Sequence, residues 1–305
     1  MRIYFFKKVT AISALFLISL LYSGCSTVMT RPFPDLDGDL KIGVTDKRAN
    51  SGDWDEGSYH LDKANVCFSK AEGDKGASDA QVLFGIIGRA IAVGDEAGSL
   101  KEMIKGDEGT FSLDLGSMTR EALKNELGSI KNAERFSTDD DWNSAPIQIT
   151  PYVVFSFVDK EKAHLWVVLH LEWIDQGSKQ NKWNCRYIAG LGDSRPLTGE
   201  TGWTSNQGEL LQTTVKKDIR VALQVMLDDL QGKLRSDDVP KDYVGAQWMF
   251  HKSPYFVQAQ KLKTTDDWDV YLPQVEDEEY FAGMNIAPKD FSLPMPVTEK
   301  NAWGN

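Results

Sequence analysis

Three stretches between residues 147 and 191 decide the fold: IQITPYVVFSFV (147–158), AHLWVVLHLEW (163–173) and WNCRYIAGL (183–191). The first is rich in β-branched and aromatic residues, which suit the pleated surface of a sheet. The second alternates. Leu165, Val167, Leu169, Leu171 and Trp173 fall on one side of a strand, and His164, Trp166, Val168, His170 and Glu172 on the other. Polar segments at 159–162 and 175–182 are short enough to be turns, so the expected unit is a three-strand antiparallel meander.

Downstream, Leu211, Val215, Ile219, Ala222, Leu223, Met226, Leu230 and Leu234 recur at helical spacing, with Lys216, Arg220, Gln224, Asp228 and Gln231 opposite. This stripe predicts an amphipathic helix over 207–234 lying on the sheet, with Asn206 and Glu209 at capping-box spacing. Upstream, Met118, Ala122, Leu123, Leu127 and Ile130 predict a second amphipathic helix, capped at Ser117 and ending near Asn132. Phe111 to Leu115 reads as a short strand or an extended lead-in, and Leu40–Val44 and Ala64–Phe68 read as strands. The expected class is α+β: an antiparallel meander sheet packed against two amphipathic helices, followed by an aromatic- and proline-rich C-terminal extension. The main domain spans 39–235 with an insertion at about 50–110, and the extension spans 236–305. That extension holds six prolines and aromatics such as Tyr243, Trp248, Tyr271, Phe281 and Trp303. Disordered tails are poor in aromatics, so it is expected to wrap over the domain.

The amino terminus has a different logic. Arg2, Lys7 and Lys8 precede an uncharged apolar run from Val9 to Tyr22, and Ser23-Gly24-Cys25 follows. A positive end, a short apolar core and small residues make a secretory signal peptide, expected over 1–24. Its core of about 14 residues is shorter than the roughly 20 a spanning helix needs. A cysteine directly after the small residues resembles the lipobox of bacterial lipoproteins, although Tyr22 stands where that family prefers Leu. The resemblance implies that Cys25 is the lipid attachment site. Residues 25–38, polar and proline-bearing, then read as a tether, and Ser26 after the cysteine resembles the pattern sorted to the outer membrane, facing the periplasm.

The chain carries a net charge of −11; losing residues 1–24 removes three positive charges and no negative ones, leaving −14. A body this acidic repels nucleic acid and anionic head groups, so no nucleic-acid partner is expected and the lipid would hold the protein to its membrane. Cys67 and Cys185 remain after Cys25, and in an oxidising envelope such a pair invites a disulfide; two unrelated buried thiols are the alternative. The stretch AQVLFGIIGRAIAV (80–93) is nearly all apolar and glycine-spaced. It reads as a buried helix, or else as a surface that docks a partner or dips into the bilayer.

Catalytic signatures are sparse. His164 and His170, on one strand face, would stand roughly 20 Å apart, too far to share a metal. His170 and Glu172 are about 6.6 Å apart along the strand and are the candidate pocket pair, with a solvated or covered strand face as the plainer reading. Gly190-Leu-Gly192 lacks the third glycine of a nucleotide turn, and the acidic runs 139–141 and 276–279 read as solvated loops. No cofactor, metal or catalytic residue is implied.

Ile42-Gly-Val44 followed by Asp46-Lys-Arg48, the helix around 120–130, the meander and the helix at 207–234 stand in an order that resembles the small outer-membrane lipoproteins of the YajG type. The order is also distantly similar to the periplasmic α/β domains of the CsgG and LpoB lipoproteins. The resemblance implies a non-enzymatic binding or assembly accessory with an envelope protein as partner. Two alternatives stand beside it. One is a subunit of an oligomeric secretion or pore assembly, using 80–94 as its contact. The other is a small-ligand-binding or hydrolytic lipoprotein using His170, Glu172 and the tail aromatics.

Overall fold

The computed structural model describes residues 28–36, 38–47, 49, 58–61, 64–69, 100–129, 135–236, 238–251, 254–277 and 279–292. Cys25, Arg48, the apolar stretch 80–94, Ile130, Asn132 and Trp303 lie outside these residues. In chain order the elements are β1 (Leu40–Val44), β2 (Tyr59–His60), β3 (Val66–Phe68), α1 (Glu108–Phe111), α2 (Leu115–Ser129), β4 (Phe136–Asp139) and β5 (Ile147–Phe157). They continue with β6 (Lys162–Ile174), β7 (Asn181–Ala189), β8 (Arg195–Pro196), α3 (Ser205–Leu230), β9 (Lys241–Ala246), β10 (Tyr255–Thr264), β11 (Trp268–Pro273) and β12 (Met284–Pro288). The architecture is α+β, with one large, mostly antiparallel sheet and few helices.

The meander is its spine. Ile147 of β5 faces Trp173 of β6, and Val167 of β6 faces Ala189 of β7, each pairing antiparallel. Alternation along β6 becomes two packed faces. Leu165, Val167, Leu169 and Leu171 join the core shared with α3, whose Leu211, Val215, Ile219, Leu223 and Met226 are buried there. Trp166 and Val168 point the other way, into a second core with Tyr152, Val154 and Ile188.

What covers that second face is the C-terminal region. Residues 241–288 form four strands, and β12 continues the sheet by pairing parallel with β7. β11, β10 and β9 follow in turn, and Trp248, Val257, Ala259, Tyr271 and Phe281 pack against the far side of the meander. Trp248 stacks on Phe281 at 5.3 Å, and its Nε1 donates to the Tyr255 carbonyl at 2.8 Å, so the ring is buried with its polar atom satisfied.

The other edge of the meander is forked. β1 docks in parallel on Ile147–Ile149 of β5, and β3 docks in parallel on Val153–Phe155 of the same edge. Pro151 lies between the two docked strands, where its missing N–H leaves no ladder bond unmade. The Asn65 side chain fills this gap: Nδ2 donates to the carbonyls of Lys47 (2.9 Å) and Pro151 (3.0 Å), and Oδ1 accepts from Ala49 N–H (3.2 Å). The described parts of the expected insertion therefore belong to the main core. Phe68 stacks on Phe155 at 5.0 Å and meets Phe111 edge-on at 5.2 Å.

Both helix starts differ from expectation. Asp114, not Ser117, caps α2, its Oδ1 accepting the Ser117 N–H at 2.9 Å, and residues 112–114 are the extended lead-in. At the start of α3, Asn206, Gln207 and Gly208 have φ of 50°, 58° and 79°. Asn206 is thus in a left-handed conformation, and no capping box forms with Glu209. Among the described residues no helix is long and apolar enough to cross a membrane.

Candidate functional site

A cleft of about 460 Å³ opens at the carboxyl end of β1, where the sheet edge forks. Crevices outside the carboxyl ends of parallel strands are common ligand sites in α/β sheets, because the backbone there diverges. Thr45 and Asp46 leave β1 on one side, Asn65 leads into β3 on another, and the first turn of α2 closes the third with Asp114, Gly116 and Arg120. Arg120 Nη1 donates to Asp46 Oδ1 at 3.0 Å and to the Val44 carbonyl at 3.3 Å, and its Nη2 donates to Ser117 Oγ at 3.3 Å. One guanidinium thereby ties strand end to helix start. The Ser117 backbone N–H holds the Asp114 carboxyl below its ordinary value, helped by the Ser117 hydroxyl and the Arg120 charge. A Cβ on Gly116 would fall 2.0 Å from Asp46 Oδ1, so the Asp46 carboxylate can rest this close to the first turn of α2 only because the residue is glycine. Two carboxylates, a guanidinium and an amide thus line one cleft and supply both hydrogen-bond donors and acceptors to it.

The residues singled out in the sequence are placed elsewhere. His170 and Glu172 lie on the β6 face turned away from α3, and the Glu172 carboxylate accepts from Asn181 Nδ2 at 2.8 Å. Neither borders the cleft at β1 or the smaller pocket between Trp166 and Trp248.

The expected Cys67–Cys185 disulfide is corrected. The two are not bridged to each other: both are buried, Cys67 in the core on the C-terminal side of the sheet and Cys185 in the core on the helix side. β5 and β6 intervene between their strands, a separation of about 14 Å, whereas a disulfide holds Cα atoms roughly 4.4–6.8 Å apart. Burial pushes the Cys185 thiol up to about 11, with Arg235 pulling the other way from 3.3 Å.

A second constructed feature, not anticipated from sequence, is the seat of the chain's amino-terminal segment. The expected tether is instead bound to the body over its described residues. Met29 is buried; its N–H donates to Asp277 Oδ1 at 3.2 Å, and its carbonyl accepts from Arg235 Nη1 at 2.7 Å. The Arg31 carbonyl accepts from both Arg235 Nη1 and Trp183 Nε1, the latter at 3.1 Å, and Phe33 meets the Trp183 ring edge-on at 5.1 Å. Arg235 is itself locked by a bidentate pair with Asp229, both contacts 2.8 Å, and Asp229 Oδ2 accepts from the Tyr187 hydroxyl at 2.7 Å. The Arg235 and Asp229 side chains are 7% and 1% exposed. The one sign of this in the sequence is a carboxylate inside an apolar stripe: Asp229 follows Met226 by one helical turn, on the buried side.

No known protein family matches the chain, and no curated protein matches it significantly.

Proposed function

We propose that the chain is a lipoprotein of a bacterial cell envelope, attached through Cys25 to the periplasmic face of the outer membrane, and that it serves as a non-enzymatic binding or assembly accessory. The observation that carries this reading is where the body starts. The signal-like run ends at Cys25, and by Met29 the chain is built into the fold through Arg235 and Asp277. A segment seated so firmly, directly after a lipobox-like cysteine, suits a body that begins at its anchor. The resemblance to YajG-type lipoproteins belongs to the same reading. The α+β body, with its meander, two amphipathic helices and C-terminal extension, is then a rigid platform for an envelope partner. In cells fed a radioactive fatty acid the protein becomes labelled, and Cys25→Ala abolishes the label; retained label in that variant would refute the anchor.

The cleft at the end of β1 favours a second reading, a lipoprotein that binds a small polar ligand through Asp46, Asn65, Asp114 and Arg120. Ligand-dependent chemical-shift changes confined to those residues would select it over a flat protein-binding surface.

A further inference from the structure

A cavity of about 220 Å³ lies where the meander meets the C-terminal strands, at the end of the sheet marked by the β5–β6 turn. Trp166 of β6 forms one wall, and Trp248 and Phe291 of the C-terminal region form the others. Each wall is fixed by contacts of its own. Trp248 stacks on Phe281 at 5.3 Å and donates its Nε1 hydrogen to the Tyr255 carbonyl. Trp166 is buried, and the Gly190 backbone passes so close that a Cβ there would lie 2.4 Å from its ring. His164, cross-strand from Ser156, is tied to the Gly190 carbonyl and the Ser194 hydroxyl. Ser156 Oγ accepts the Phe250 N–H at 3.0 Å and so pins the segment after β9 to β5. Protein interiors leave few spaces larger than a water molecule, so an aromatic-walled cavity of this size is a feature the fold maintains. An apolar cavity of about 150 Å³ is enough to take up benzene, so this one has room for a second fused ring.

We propose that this cavity is a binding site for an uncharged, planar aromatic molecule of one or two rings. It is separate from the cleft at β1 and does not depend on the anchor at Cys25. Three features set the ligand class. Among the described residues no charged side chain lines the cavity, and a buried ion without a partner is costly. His164 does not supply the charge, because burial pushes it down to about 4 and leaves its ring neutral at pH 7. Phe291 stands edge-on to Trp166 (5.9 Å, 78°) and to Trp248 (5.4 Å, 80°), so the walls offer ring edges as well as faces. A further aromatic ring packs by that same edge-to-face geometry, whereas a cation is attracted to ring faces alone. The Ser156 hydroxyl donates to no acceptor among the described residues, which leaves its proton for a phenolic or carbonyl oxygen on the ligand.

The test is equilibrium dialysis of the full chain in lipid nanodiscs against tritiated 2-naphthol at pH 7, with protein-free nanodiscs as the blank. Saturable binding of a single equivalent is expected. Val158→Trp places an indole at the half-buried rim of the cavity and is expected to weaken binding by roughly tenfold or more. Asp46→Ala, in the β1 cleft, is expected to leave it unchanged. The anion 2-naphthoate and the cation phenyltrimethylammonium are expected to bind roughly tenfold or more weakly than 2-naphthol. In native protein carrying 5-fluorotryptophan, 2-naphthol is expected to shift the fluorine signals of Trp166 and Trp248 and to leave that of Trp183 in place, a readout that needs no variant to fold. Absence of saturable binding, tighter binding of either ion, native affinity in a folded Val158→Trp variant, or shifts that spare both Trp166 and Trp248 would overturn the inference. A chain that takes up no fatty-acid label but still binds 2-naphthol in this way supports it while refuting the anchor.

Discussion

His164 and Asp218 grip the two ends of one peptide unit from opposite faces of the sheet. His164 Nε2 meets the Gly190 carbonyl at 3.3 Å, and the Leu191 N–H of the same peptide group donates to Asp218 Oδ2 at 3.4 Å. A carbonyl can only accept, so Nε2 carries the imidazole proton, and Nδ1 accepts from the Ser194 hydroxyl at 3.4 Å. Burial disfavours the charged form of each and so moves them in opposite directions. It pushes His164 down to about 4 and Asp218 up to about 7, the latter against the pull of the Leu191 N–H and Lys217. Asp218 Oδ1 has no hydrogen-bond partner among the described residues.

The two shifts have opposite signs in stability. Between pH about 4 and 6.5 the unfolded chain keeps a proton on His164 that the folded protein has released, so stability rises with pH. Between pH about 4 and 7 the folded protein keeps a proton on Asp218 that the unfolded chain has lost, so stability falls with pH. They amount to roughly 3 kcal/mol for His164 and about 4 kcal/mol for Asp218, and over pH 4–6.5 they largely offset. His164→Gln preserves a donor for the Gly190 carbonyl and removes one of the two. Its urea midpoint is expected to climb on acidification from pH 7 to 4.5 while that of the native protein stays nearly level. Parallel profiles would show that the pair does not titrate this way.

Asp218→Asn probes the other member. The amide oxygen can still accept the Leu191 N–H, and the buried charge is gone. A gain of about 1–3 kcal/mol is expected at pH 8, shrinking towards pH 5, where the native carboxyl is already protonated. Urea unfolding at the two pH values measures it; a gain of the same size at both would place its origin in packing.

Glycine positions separate rigid from yielding surroundings. A Cβ on Gly190 would lie 2.4 Å and 2.5 Å from two ring atoms of buried Trp166 and 2.8 Å from His164 Nε2. Both rings are held, Trp166 in the buried core and His164 by Gly190 and Ser194, so shifting them is costly and Gly190→Ala is expected to cost about 2–3 kcal/mol. Gly116→Ala meets the ends of two flexible side chains, Asp46 at 2.0 Å and Arg120 at 3.3 Å, the former 63% exposed, and it adds helix propensity to α2. Thermal unfolding should place Gly116→Ala within about 1 kcal/mol of the native protein. A larger loss at Gly116 than at Gly190 would contradict the packing described.

Much of the scaffold was legible because it alternates. β6 writes its two faces in its residues, and α3 carries its apolar stripe at helical spacing. The C-terminal strands were not, for a physical reason: β11 and β12 are short and buried almost throughout, and the single Asp269 and Asn285 they carry are too few to mark a two-residue period. The cysteine pairing failed because it requires the facing of residues on β3 and β7 with two strands between them, which register alone decides. The cleft at β1 was only touched, through Asp46 in the segment compared with YajG-type proteins; Arg120, Asp114 and Asn65 converge there through parallel pairing that no local pattern announces. Asp218 and Asp229 were readable as carboxylates on a buried stripe, the kind of local conflict that marks a special site.

Arg235 ties the amino-terminal segment to the body, and its removal separates two effects. Arg235→Ala leaves Asp229 buried without its countercharge, which costs about 3–5 kcal/mol, and removes the guanidinium donor from the carbonyls of Met29 and Arg31. A double variant, Arg235→Met with Asp229→Leu, removes both charges and is expected to recover most of the stability, since apolar replacement of a buried pair is often neutral. The segment around Met29 would still lack its clamp. Amide exchange at residues 29–33 should therefore speed up by tenfold or more, about 1.4 kcal/mol, in the double variant while exchange in β6 stays slow. Unchanged protection of residues 29–33 would mean that Asp277 and Trp183 hold the segment without Arg235.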